Sequence, residues 1–471
     1  MYTQSNNELQ TILNTMKKAH LDTGPASAEL RRDRLERCIK LLRDNHSALV
    51  QAINADFGHR SSYQSLVADL FATIQLLKHA AENVAIWMQP EHVADPVPGM
   101  KAWIEQQPLG VIGIISPWNF PINLAFGPLA GVFAAGNTAM LKPSELTPCT
   151  SELLAELVAR YFHPHELTVV LGDALVGQAF SALAFDHLVF TGSTAVGKKV
   201  MRAAAENLVP VTLELGGKSP VMVDMDADIA QAAERTLTIK TFNAGQICLS
   251  PDYMLLPEDK TQGFIDAAKT FVAEHFPTII GNPDYTAIIN THHYERLVGL
   301  LEEAKQHGAT VISLAPDGEA DYDAITRKIA PHLILHVSDD MGVMQEELFG
   351  PLLPIKTYQD SAQAIAYINS HPRPLAAYYF GVDKTNQAAF MAQTTSGALV
   401  INDVMTHVMI DSLPFGGVGA SGIGAYHGVH GFRRFTHAKA VVVQSKDGAS
   451  NLKLRAPYQE KLADLEAFLQ G

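Results

Sequence analysis

Leu188-Val189-Phe190-Thr191-Gly192-Ser193-Thr194-Ala195-Val196-Gly197-Lys198 is the stretch whose reading decides the fold. It reads as a short apolar strand, a glycine turn and the opening of a helix. Small residues at the turn let the helix start approach a phosphate, and the helix dipole favours the anion. The spacing departs from G-x-G-x-x-G, with Ser193 and Thr194 replacing the usual pattern. It is not a Walker loop either, because Lys199 stands where Ser or Thr is required. The same rhythm extends on both sides. Apolar runs at 111–115, 139–141, 167–171 and 211–213 alternate with helical stretches at 122–135, 148–162, 174–183 and 196–208. That alternation predicts a parallel sheet covered on both faces, with ligands at the carboxyl ends of its strands.

A second series follows. Residues 221–223 read as a strand and 229–248 as a helix, after which strand-like runs at 253–256, 333–335, 353–357 and 375–380 alternate with further helices. The expected fold is therefore α/β: two Rossmann-like open parallel-sheet domains with a cleft between them, plus a small β bridging or oligomerisation element. Residues 1–89 read as helices, with apolar stripes over 27–54 and 65–87, and 90–98 as a proline-rich break. The division predicted is 1–89 with 109–212 as the nucleotide-binding domain, 213–425 as the catalytic domain, and 90–108 with 426–447 as the bridging element. The strand-like run 438–444 lies after the second half closes, which suits pairing with another subunit. The tail 448–471 carries Leu454, Tyr458, Leu462, Leu465 and Leu469 at helical spacing, and packing on the protein's own surface is favoured over a partner or a membrane.

Composition narrows the function. A net charge of −14, from 35 basic and 49 acidic residues, argues against nucleic acid and against an anionic membrane surface. No run approaches the ~20 apolar residues a membrane span needs, and Met1 to Asn7 lacks a signal-peptide pattern. Three cysteines form no disulfide framework and fit a reducing cytoplasm.

Of these three, Cys248 is the informative one. It sits in Phe242-Asn243-Ala244-Gly245-Gln246-Ile247-Cys248-Leu249-Ser250-Pro251, at a helix-to-loop junction where a thiol can be poised as a thiolate. Cys38 and Cys149 read as residues of ordinary helices. Asn119, in Ser116-Pro117-Trp118-Asn119-Phe120-Pro121, follows a buried strand, and two prolines stiffen its loop. Its amide could face a developing oxyanion, although a turn Asn that satisfies its own backbone is the simpler reading of that motif alone. Lys142 and Glu145, at the end of the run 139–141, could hold ribose hydroxyls or form a surface ion pair. Glu214, in Leu213-Glu214-Leu215-Gly216-Gly217-Lys218, ends an apolar strand, where burial would raise its pKa toward general-base work; capping the turn is the alternative. Glu347 and Phe349 could hold a ribose and press on a flat ring, or simply end a helix. Asp224-x-Asp226-x-Asp228 is not a calcium loop, because Ile229 occupies the glycine position, and the histidine groups lack ligand spacing, so no metal is expected.

Taken together these motifs resemble the aldehyde dehydrogenase superfamily, in the family order, over about residues 30–445. The segments 242–248 and 213–220 carry most of that likeness. Leu413-Pro414-Phe415-Gly416-Gly417 through Gly424-Ala425-Tyr426-His427-Gly428 is similar to the class 3 branch, and Asp56-Phe57-Gly58-His59-Arg60-Ser61 to its bacterial coniferyl aldehyde dehydrogenase group. The resemblance implies Cys248 as nucleophile, Glu214 as general base and Asn119 in the oxyanion hole. It implies cofactor contacts from Trp118, Lys142, Glu145, Gly192, Ser193, Thr194, Ala195, Val196, Gly197, Glu347 and Phe349. The cofactor is then NAD, with NADP a second candidate. The substrate is an aromatic aldehyde such as coniferyl aldehyde, or a medium- or long-chain aliphatic one, and the assembly a homodimer. The rival readings are a cofactor-free cysteine hydrolase, for which no partner His is nominated, a CoA-acylating dehydrogenase, which Glu214 disfavours, and a non-catalytic protein on an old scaffold.

Overall fold

The computed structural model describes residues 6–94 and 99–470. The expectations for residues 1–5 and for 95–98 of the proline-rich break lie outside the described residues.

Apolar runs buried on both faces build a six-stranded sheet in the order Gly422–Ile423, Val211–Leu215, His187–Gly192, Val111–Ile115, Thr138–Lys142, Leu167–Val169. The five strands between 111 and 215 are parallel. Ile112, Ile114, Leu141 and Val189 are fully buried, as a sheet covered on both sides requires. The covering helices include Asn123–Ala134, Pro148–Tyr161, Ala174–Ser181 and Thr194–Ala205. Their starts are set by local chemistry. Asp173 and Ser193 accept hydrogen bonds from otherwise orphaned backbone N–H groups, and Asp56 reaches from the preceding helical layer to accept from the N–H groups of Cys149 and Thr150, each at 2.8 Å.

A seven-stranded sheet has the order Thr310–Ser313, His332–Leu335, Leu352–Tyr358, Pro251–Pro257, Ser219–Val223, Ala376–Phe380, Ala398–Ile401. Only its edge strand Thr310–Ser313 is antiparallel. The expected two-sheet α/β architecture is therefore present. The change from one sheet to the other comes at the Gly216-Gly217 turn. The division expected between 212 and 213 falls inside Val211–Leu215, all five residues of which pair with 188–192. The chain also returns to the first sheet late, where Gly422 pairs with Glu214 and Ile423 with Leu213.

Four local expectations are corrected. The helical stretch 27–54 is two helices, Ala28–Asp44 and His46–Phe57, parted at Asn45. The helix expected to run to Cys248 ends at Thr241, because the next residues enter the left-handed region. The late strand, Thr436–Val443, pairs along its full length with Lys101–Pro108 of the same chain, which in turn pairs with Glu91–Val93. The two segments grouped as the bridging element thus pair with each other, Lys439 opposite Glu105, 334 residues apart in the chain. The tail helix Gln459–Leu469 buries no residue, so the expected packing of its apolar side on the protein's own surface is absent. Among the described residues no helix is long and apolar enough to cross a membrane.

Candidate active site

The helix Ile229–Thr241 stops short of the cysteine, and the chain then turns through three left-handed residues, Asn243 (φ 51°), Ala244 (φ 50°) and Gly245 (φ 71°). Non-glycine residues adopt this region only where their surroundings over-determine it, at roughly 1–3 kcal/mol each. Here the surroundings do. The Asn243 amide donates to the carbonyls of Asn119 at 3.2 Å and Gln246 at 3.1 Å, and its backbone N–H donates to Gln64 Oε1 at 2.9 Å. Gln246 Nε2 donates to the carbonyls of Asn243 and Ala287, at 3.0 and 3.1 Å. Gly245 is confined to glycine: a Cβ there would stand 2.3 Å from the Gly350 carbonyl oxygen. The loop delivers Cys248 to a cleft of about 310 Å³ lined by strand ends of the first sheet and by loops and a helix around the second.

Glu214 reaches the same cleft from the strand Val211–Leu215. It is 1 % exposed, and neither carboxyl oxygen has a hydrogen-bond partner among the described residues. Burial without a partner raises its pKa well above the ordinary carboxylate value. The Cys248 thiol is also pushed well up, by burial first and then by the charges of Glu214 and Glu347. The expectation of a thiolate poised at a helix end is thus corrected. No α-helix ends there, and burial, with the carboxyls of Glu214 and Glu347 close by, works against the thiolate.

Asn119 completes this part of the cleft, and its position is held at several points. It is 3 % exposed, and Nδ2 donates to the Gln246 carbonyl at 3.2 Å. An amide has two N–H donors, so one remains uncommitted among the described residues. Its backbone carbonyl accepts from Arg60 Nη1 at 3.0 Å as well as from Asn243.

The nucleotide-side candidates fall into two groups. Trp118, Gly192, Ser193, Glu347 and Phe349 line the cleft with Cys248, Glu214 and Asn119. Thr194, Ala195, Val196 and Gly197 form the first turn of Thr194–Ala205 and do not line it. Ser193 caps that turn by accepting from Val196 N–H, Thr194 Oγ1 donates to the Ala420 carbonyl at 3.1 Å, and Gly197 packs against Leu215. Lys142 is buried, with Nζ 3.0 Å from the Pro143 carbonyl and 3.3 Å from Glu145 Oε2. Glu145 lines a smaller pocket beside the ends of neighbouring strands, with Leu171 and Gly172.

Glu347 and Phe349 ride on a loop after the short helix Gly342–Gln345, and that loop is pinned by charge. Arg296 Nη1 donates to Glu346 Oε1 at 3.1 Å, and Nη2 donates to the Leu348 carbonyl. Lys218 Nζ donates to the carbonyls of Val343 and Glu346, each at 2.9 Å, and pairs with Asp252, which accepts from Leu348 N–H at 2.9 Å. Phe349 is left-handed (φ 50°) and meets Trp118 edge-on at 5.3 Å. Burial, then the charge of Asp252, pushes the Glu347 carboxyl up to about 8.

Sequence reasoning missed several cleft residues: Leu124, Thr191, His293, Arg296 and Glu346. The His293 ring lies tilted against Trp118 at 5.4 Å, and burial takes its pKa down to about 4. Nothing local in the sequence marks it, because the helix Thr291–Gln306 that carries it meets the cleft only in three dimensions.

A cleft in which a loop before the second sheet presents a thiol and a strand of the first sheet a buried carboxyl, beside a capped helix start, fits a two-lobed α/β dehydrogenase. The chain belongs to the aldehyde dehydrogenase family, whose model matches residues 1–441. It is 59 % identical to a coniferyl aldehyde dehydrogenase of Pseudomonas sp. (strain HR199 / DSM 7063), over 98 % of this chain and 96 % of that one. Among solved structures, the substrate-bound state of Staphylococcus aureus AldH matches with a TM-score of 0.92 at 36 % identity, covering 98 % of this chain and 99 % of the other. The P. syringae AldA indole-3-acetaldehyde dehydrogenase, a cysteine-to-alanine mutant in complex with NAD+ and IAA, matches at 0.85 and 26 % identity, over 94 % and 90 %. The chain is accordingly an enzyme that oxidises aldehydes, and the cysteine hydrolase and non-catalytic readings give way.

Proposed function

We propose that this enzyme oxidises an aromatic aldehyde of the coniferyl type to its carboxylic acid, with NAD as coenzyme and water as the final acyl acceptor. The observation that carries the reading is the convergence of Cys248, Glu214 and Asn119 on one cleft from different elements. Cys248 passes its proton to solvent in the cleft and attacks the aldehyde carbon, forming a thiohemiacetal whose oxyanion takes the uncommitted N–H of Asn119. When bound, the oxidised nicotinamide supplies the hydride acceptor. Cys248 then carries a thioester, and Glu214 takes a proton from the water that cleaves it.

The residues present suit such a dinucleotide. The helix start capped by Ser193 offers N–H groups and a favourable dipole to a pyrophosphate. Lys142 and Glu145 sit as a pair able to take ribose hydroxyls, and Glu347 with Phe349 faces the cleft near Cys248. Glu145 places a carboxylate where a 2′-phosphate would come, which favours NAD over NADP. Thr194, Ala195, Val196, Gly192 and Gly197 serve by keeping that approach narrow. We read residues 109–215 with the N-terminal helices as the nucleotide-binding unit, the second sheet as the catalytic unit, and the reducing cytoplasm as the place of work.

A kinetic panel of coniferyl aldehyde, benzaldehyde, hexanal and decanal, each with NAD and NADP, tests the substrate reading. Coniferyl aldehyde with NAD is expected to give the highest kcat/KM; a tenfold preference for decanal, on the order of 1.4 kcal/mol of transition-state binding, would replace the aromatic assignment. Support for the substrate comes from the 59 % identity to the Pseudomonas enzyme.

We also infer a homodimer. The outer edge of Thr436–Val443 pairs with no further strand among the described residues, and Val442 and Val443 are exposed on it. Unpaired strand edges are costly to leave open. Light scattering should give twice the 51.1 kDa chain mass, and a monomer at micromolar concentration would end this reading.

A further inference from the structure

The segment Asp56-Phe57-Gly58-His59-Arg60-Ser61 has no part in the chemistry above, yet its arginine enters the core beside the active site. Arg60 and Asp69 are both 0 % exposed at the side chain, and their Nη2 and Oδ2 are 3.0 Å apart. The guanidinium lies between two aromatic rings, 5.0 Å from the centroid of Phe57 and 5.0 Å from that of Phe120. Each partner then reaches the loop that carries Asn119. Arg60 Nη1 donates to the Asn119 carbonyl at 3.0 Å. Asp69 Oδ1 accepts from the N–H groups of Ile122 at 3.0 Å and Asn123 at 3.2 Å. One ion pair thus grips the loop on both sides of Phe120 and Pro121.

The same short stretch holds the cysteine loop. Gln64 Oε1 accepts from the Asn243 N–H and from Thr286 Oγ1, each at 2.9 Å. Gln64 and Asp69 flank and enter a π-helical turn, Ser65–Phe71, a conformation that recurs at functional sites. A fully buried ion pair is a poor way to gain stability, since apolar replacements of similar volume often do as well or better. A planar guanidinium locked by two rings and a carboxylate is a good way to hold a backbone oxygen at one point.

We propose that Arg60, braced by Asp69, is a positioning residue for the Asn119 amide, setting its distance to the oxygen of the aldehyde attacked by Cys248. The inference rests on the oxyanion role assigned to Asn119. Misplacing a reacting group by ~1 Å can cost up to about 10²-fold in rate.

The test is the pre-steady-state rate of reduced nicotinamide formation from benzaldehyde and NAD, per folded molecule by circular dichroism, with NAD affinity measured by calorimetry. Arg60→Met is expected to slow this step at least tenfold with NAD affinity unchanged, and Arg60→Lys to recover part of the loss. In the Asn119→Ala background, Arg60→Met should add no further loss, because the amide it positions is gone. If Arg60→Met does not fold, Asp69→Asn is read in the same two backgrounds. A wild-type rate per folded molecule, or a loss equal in both backgrounds, overturns the proposal. If Asn119→Ala itself leaves the rate unchanged, the oxyanion assignment is what fails.

Discussion

Replacing Cys248 with alanine is expected to abolish aldehyde oxidation while leaving NAD binding intact. No second nucleophile stands ready in the cleft: Cys38 is buried in the N-terminal helical layer, and Cys149 is exposed at a helix start capped by Asp56. Losing a group that forms the covalent intermediate removes about 10⁴-fold or more of rate, since the remaining groups act only through that intermediate. The proposed cofactor contacts come from other elements, chiefly the turn at Gly192-Ser193 and the loop at Glu347 to Phe349, which line the cleft with Cys248. Absorbance of reduced nicotinamide should therefore vanish, and calorimetry should still register NAD. Residual turnover above about one part in 10³ would refute the nucleophile assignment. Loss of NAD binding together with turnover would mean that the substitution had disturbed the loop held by Asn243 and Gln246.

Glu214→Gln carries the second large effect, and it separates two steps. Formation of reduced nicotinamide in the first turnover should survive. Cleavage of the thioester should slow by about 10²- to 10⁴-fold, the usual contribution of a positioned base. A burst followed by a very slow steady state is the expected trace. In the wild-type enzyme Glu214 works as a base only when ionised. Its pKa is raised by burial, so the deacylation rate should climb as pH rises through that raised value, and this limb should disappear in Glu214→Gln. A pH–rate profile shared by the two proteins would count against the assignment.

Glu214 also makes a stability prediction of definite sign. Its pKa in the folded protein lies above the unfolded value, so above pH ~4.5 the folded state holds a proton that the unfolded state has lost. Stability therefore falls as pH rises from the unfolded value through the folded one. Glu214→Gln removes this dependence, so its melting temperature should gain on the wild type as pH is raised from 4.5 toward neutrality. Glu347, pushed up to about 8, contributes the same sign in both proteins and cancels from the comparison. A base that costs stability in order to stand unpartnered in a cleft is the usual compromise of an active site.

Much of the fold was legible because its signals are local. The runs at 111–115, 139–141 and 188–190 are apolar throughout, which only a sheet covered on both faces tolerates, and the strands form where expected. The helices expected from 174 and 196 begin at Ala174 and Thr194, where Asp173 and Ser193 cap them. The cysteine loop was less legible. The apolar pattern continued past Thr241 as if the helix did, and it broke because Asn119, Gln64 and Ala287, all distant in sequence, hold Asn243 and Gln246 in a left-handed turn. The push on the thiol was hidden for the same reason, since the burial that raises its pKa, and after it the carboxyls of Glu214 and Glu347, come from elements distant in sequence.

By itself the sequence determined the strand and helix alternation, the two-sheet class, the family and the candidate groups Cys248, Glu214 and Asn119. These follow from periodicity, from turn chemistry and from motifs whose meaning lies within a few residues. Only the tertiary structure decided that Glu214 stands unpartnered, that burial works against the Cys248 thiolate and that Thr436–Val443 pairs within its own chain. Only it decided that Arg60 and Asp69 grip the loop of Asn119. Those facts depend on burial and on charges brought together over long separations, and desolvation and Coulomb energies are set by distance in space.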